Sequence, residues 1–141
     1  MTIASQRGAL LLDALAAIAV FSIGVLGCVT LQALAIRHVH AAHCRSEAAH
    51  LVQALVGRMA AENPATLAAR YDGEAGGEGY AAFSRLARRL PGADHPANAP
   101  QLGVTPGPTP GSRRVTVAVH WQLPGETTAH RHGATVVVGG H

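Results

Sequence analysis

The chain has 141 residues, with eleven arginines, no lysine and eight acids, for a formal charge of +3. That is a one-domain length. The arginines are scattered singly or in pairs and aromatics make up only 4%, which argues against nucleic acid as a partner, since such a surface needs clustered charge and rings to stack on.

The first informative stretch runs from Gly8 to Asp13. Seven residues, Arg7 among them, precede Gly8, and from Ala14 to Leu31 no residue is charged. An uncharged run of that length is about what a helix needs to cross a bilayer. A secretory signal peptide has a short apolar core followed by a small-x-small cleavage site. Here the polar stretch comes first, so a cut after it leaves the apolar run in the mature chain. The expected organisation is a leader at residues 1–8 and a membrane-spanning helix at 9–36. Over 37–63 the helix continues as an amphipathic stretch. Leu31, Leu34, Ala35, Ala42, Ala49, Val52, Leu55, Val56 and Met59 recur at spacings of three, four and seven. Arg37, Arg45, Glu47, Gln53 and Arg58 take the opposite face, and Asn63-Pro64 is the expected stop.

The remaining residues, 64–141, are expected to form a small head. Ala65 to Tyr71 suits one or two helical turns, and Asp72 to Gly79 reads as a flexible acidic loop. A short helix is expected over 80–90, with Phe83, Leu86, Ala87 and Leu90 on one side and Arg85, Arg88 and Arg89 solvated. A Pro- and Gly-rich loop follows, with room for a strand at Leu102 to Thr105. From Arg114 to Leu123 the pattern alternates strictly, with Val115, Val117, Val119 and Trp121 sharing a side. Pro124-Gly125-Glu126 supplies a turn and Ala129 to Val138 an antiparallel partner, which makes a hairpin over 113–139. A lone hairpin is marginal in water. The amphipathic half of the long helix is the natural cover for its apolar side, so the fold class is α+β: a long N-terminal helix packed on a small antiparallel sheet.

Candidate chemistry is sparse. Cys28 and Cys44 lie about 24 Å apart if both sit on one helix, too far for a disulfide. Cys28 reads as a membrane-packing residue, and Cys44 as a free thiol or an intermolecular bridge. His43, Glu47 and His50 share a helical face and could hold a metal, and His130 and His132 point from one side of a strand. Neither set has three or four convincing ligands, so solvated histidines are the expectation and no metal or other cofactor is called for. Trp121 is expected in the core. The serines have no GxSxG setting and neither cysteine sits in a catalytic motif, so the chain reads as non-enzymatic, with no small-molecule substrate.

Gly8-Ala9-Leu10-Leu11-Leu12-Asp13-Ala14-Leu15 resembles the prepilin-type signal of type IV pilins and pseudopilins. The likeness continues through Phe21-Ser22-Ile23-Gly24-Val25-Leu26-Gly27, Leu31-Gln32 and Arg58-Met59-Ala60-Ala61-Glu62-Asn63-Pro64. Over about residues 7 to 64 the chain is similar to the minor pilins of the type IV pilus modification (PilV-type) group. It departs from the usual pattern at Ala9, where Phe or Met is common, and at Asp13, where Glu is.

The resemblance implies that a prepilin peptidase cleaves between Gly8 and Ala9. It also implies that Asp13 pairs with the N-terminal amine of a neighbouring subunit, setting register as helices stack into a filament. The implied partners are the peptidase, other major and minor pilins, and inner-membrane lipid, with the head in the periplasm. A minor pseudopilin of type II secretion is the nearest alternative, and a single-pass membrane-anchored metal-binding module the alternative from another class.

Overall fold

A computed structural model describes residues 3–139. Helix α1 runs without a break from Ile3 to Ala60. No proline occurs before Pro64, so nothing in this stretch removes a helical hydrogen bond. The chain divides into two compact units, one ending at His40 and the other beginning at Ala41.

The first unit is the stretch of α1 up to His40. Its hydroxyl side chains are satisfied locally: Ser22 Oγ donates to the Ile18 carbonyl at 2.7 Å and Thr30 Oγ1 to that of Leu26 at 2.9 Å. Both groups can therefore sit in apolar surroundings without an unmet hydrogen bond.

The second unit is α+β. After α1 come α2 (Pro64–Tyr71), α3 (Glu78–Ala87), a single 3-10 turn (Pro96–Asn98), and the strands β1 (Gln101–Pro106), β2 (Arg113–Trp121) and β3 (His130–Val138). The sheet is antiparallel in the order β1-β2-β3, with Val117 between Leu102 and Ala134 and Val115 between Val104 and Val136. Val115, Val117, Val119 and Trp121 are all buried, as their alternation predicts. They join Cys44, Ala48, Val52, Leu55 and Met59 of α1, together with Leu67, Tyr71, Phe83, Ala87 and Leu90, in one hydrophobic core.

Several boundaries differ from the sequence expectation. The helix stops at Ala60, ahead of Asn63-Pro64, because Asn63 starts the next helix: its side chain accepts from Ala65 N–H at 3.0 Å, and Pro64 takes the first helical position. The buried stripe of α1 runs through Cys44 and Ala48, whereas Ala42 is exposed and Ala49 half-buried. Alanines recur so often along this helix that their spacing cannot say which face is covered. Helix α3 occupies 78–87, not 80–90, and buries Ser84 where Leu86 was expected; Leu86 stays 38% exposed. Asp72 to Gly79 is an anchored connection. The Asp72 carboxylate accepts from Glu74 N–H at 2.9 Å and Val104 N–H at 3.2 Å, and Gly73 N–H donates to the Leu102 carbonyl at 2.9 Å.

Candidate functional site

The residues with the most to explain lie in the first unit. Leu10, Leu11, Leu12, Leu15, Phe21 and Ile23 are each 65–73% exposed. A soluble monomer rarely leaves so large an apolar surface uncovered. The segment has a mean hydropathy of 2.4 and is long and apolar enough, by length and composition, to cross a membrane.

Gly8, Ala9 and Asp13 all lie inside α1. A side chain at Gly8 would meet nothing within 4 Å, so its backbone is open on that side. Asp13 is exposed, and none of the ion pairs among the described residues involves it. At 100° per residue, Asp13, Ala17, Gly24 and Cys28 fall on one face, at intervals of four, seven and four. Leu11, Leu15, Ile18 and Val29 fall on the opposite one. Leu10, Val20 and Leu31 share the face with Asp13, so the carboxylate heads a mixed apolar face of small and large side chains.

The cysteines and histidines were the other candidates. Cys28 is exposed and Cys44 is buried, and neither is in a disulfide. Its 4% exposure leaves Cys44 no access for the intermolecular bridge considered above. Burial, and then the Glu47 charge, push its thiol pKa up, which makes it a packing residue with an unreactive sulfur. His43 Nδ1 and Glu47 Oε2 are 3.8 Å apart on the surface, and His50 is exposed. Among the described residues no group of three or more His, Cys, Asp or Glu could hold a metal ion. His43, Glu47 and His50 are therefore not assembled into a site.

His130 and His132 are not simply solvated. Their register opposite Trp121 and Val119 puts them on the core-facing side of β3, half-buried. The His130 ring stacks on Trp121 with centroids 5.5 Å apart, and its Nε2 lies 2.8 Å from Glu126 Oε2. Both contacts tie the connection between β2 and β3 to the sheet.

Two further carboxylates organise the head. Glu62 accepts from the Tyr71 hydroxyl at 2.6 Å and from Arg70 at 3.1 Å, locking the corner between α1 and α2. Burial, and then the Glu62 hydrogen bond, raise the Tyr71 phenol pKa. The N–H groups of Val104 and then Glu74 hold the Asp72 carboxyl below its usual range. An open groove of about 490 Å³ lies beside it, lined by Asp72, Glu74, Tyr80, Gly103 and Thr116 among others. Both Asp72 oxygens already accept backbone N–H groups, so that side chain serves the fold.

Comparison with protein-family models, with curated proteins and with solved structures returned no match. The functional reading therefore rests on the residues themselves.

Proposed function

We propose that this protein is a minor pilin: an inner-membrane-anchored subunit, processed after Gly8 by a prepilin peptidase, that enters a type IV pilus or primes its assembly. The observation that carries this reading is the exposed apolar stretch of α1 up to His40, in which Asp13 is the one carboxylate. A carboxylate in that setting costs about 2.5–3.5 kcal/mol on membrane-insertion scales unless something offsets it.

Cleavage would offset it. In the uncut chain α1 begins at Ile3, ten positions before Asp13. A cut after Gly8 makes Ala9 the new terminus, creates a cationic α-amine there, and brings Asp13 close to the positive end of the helix dipole. The same amine, on an adjoining subunit, is the counter-ion that sets the stagger between packed helices. The α+β head at the other end of α1 is the surface left for contacts with major and minor pilins in the periplasm.

The deciding experiment is mass spectrometry of the mature N-terminus, on protein recovered from cells that contain a prepilin peptidase. A chain beginning at Ala9 is expected. A chain that keeps Met1 or Thr2, or is cut elsewhere, overturns the proposal and leaves a tethered domain.

A further inference from the structure

The two edges of the sheet are finished differently. The outer edge of β1 is occupied: Gly73 N–H bonds to the Leu102 carbonyl, and Val104 N–H to the Asp72 carboxylate. Pro106 closes that strand. The outer edge of β3 has no such cover. Among the described residues, the backbone of His130 to Val138 makes no hydrogen bond outside its ladder with β2. Nor does β3 contain a proline. Free edges are usually blunted by proline, bulges, charge or a covering loop, and of these β3 has only the charge of Arg131.

The ladder shows which groups are free. Leu102 and Val104 use their backbone groups outward, so their partners Val117 and Val115 must direct theirs to β3, at Ala134 and Val136. By alternation, the backbone N–H and C=O groups of Arg131, Gly133, Thr135 and Val137 point away from the sheet. All four of these residues are exposed. Gly133 has no side chain to hinder a close neighbour. Among the outward-directed residues the only charge is Arg131, and Arg114 stands beside Val137 on β2; the nearby Glu126 carboxylate is taken up by His130, whose side chain is on the other face.

We propose that the β3 edge is a strand-addition site for an extended, acidic segment of another protein. Such a segment pairs antiparallel with Arg131 to Val137 and places a carboxylate opposite Arg131. A second copy of this chain fits less well. Two-fold pairing of β3 with itself about Ala134 sets Arg131 against Val137, next to Arg114, so like charge meets like. The inference depends on the sheet alone and stands or falls independently of the processing at Gly8.

The test uses the full chain in detergent micelles and two synthetic ten-residue peptides of alternating Val and Thr. One carries Glu at the position facing Arg131, the other Arg. Amide hydrogen exchange is read residue by residue. The Glu peptide is expected to protect the amides of Arg131, Gly133, Thr135 and Val137 while leaving the intervening ones unchanged. It is expected to bind about fivefold more tightly than the Arg peptide, from a charge-pair difference near 1 kcal/mol. Arg131→Glu should reverse that preference. Thr135→Pro, which blocks an outward N–H, should abolish the protection; if that variant fails to fold, the reversal by Arg131→Glu decides alone. Equal affinity for the two peptides, or no alternating protection at millimolar peptide, overturns the proposal. So does concentration-dependent protection of those four amides with no peptide present, which would assign the edge to a second copy.

Discussion

The two stretches of α1 differ in what surrounds them. Up to His40 the large apolar side chains remain 45–73% exposed; beyond Ala41, Cys44, Ala48, Val52, Leu55 and Met59 are at most 6% exposed. Both stretches are helical and both are rich in Ala, Leu and Val. In the first the apolar residues go all the way round, broken by Asp13 near its start and by Arg37, His38 and His40 at its end. In the second, arginines, histidines and Glu47 interrupt them often enough to leave one dry side. A helix apolar on every side has to be covered by lipid or by other helices, whereas a one-sided helix needs only its own sheet. The difference separates a stretch left uncovered by its own chain from one that its own sheet covers, on one continuous backbone.

That division is open to direct attack. Asp13→Ala should abolish incorporation of the protein into pili containing other pilins, assayed by immunoblot of sheared filaments, while the melting of the head is unchanged. Normal incorporation would overturn the register role proposed for this residue. Met59→Ala should do the reverse. Met59 is fully buried, and its truncation should cost about 3 kcal/mol of head stability in a urea titration. Leu15→Ala, in the exposed stretch, should leave the same titration unchanged.

Asp72→Asn should cost less, about 1 kcal/mol, by weakening two hydrogen bonds from backbone N–H groups. The wild type should also show a pH dependence. Because the folded carboxyl lies below its ordinary pKa, its contribution is complete above the unfolded value of about 3.9. It is lost as pH falls through the folded pKa. The Asn variant should lack that part of the acid transition, as followed by melting temperature between pH 2 and pH 6. The smallest effect should come from His43→Ala. That residue lies on the surface with its partner at 3.8 Å, and its removal should change stability by no more than about 0.5 kcal/mol.

Much of the head was legible residue by residue. The alternation of Val115, Val117, Val119 and Trp121 gave the buried face of β2 correctly, and Val136 and Val138 pointed to its partner. Leu102 and Val104 sufficed to place a third strand. What could not be read was how the short connections are held. A run such as Asp72-Gly73-Glu74-Ala75-Gly76-Gly77 looks flexible until Val104 N–H is found on the Asp72 carboxylate, a contact 32 residues away in sequence. His43 and His50 are exposed as expected, but His130 and His132 misled for the same reason: whether an imidazole meets water, a tryptophan or a carboxylate depends on its neighbours in space.

The sequence alone determined the long apolar helix, the position of its single carboxylate, the alternating strand and the α+β class. Those features rest on local periodicity and on the cost of burying charge, which act through near neighbours in the chain. Tertiary structure decided which face of α1 is buried, that Ser84 goes inside in place of Leu86, that Asp72 anchors a loop, and that one edge of the sheet is closed while the other stays open. Each of these depends on a backbone or side-chain group finding a partner far away in sequence, and only the folded chain brings the two together.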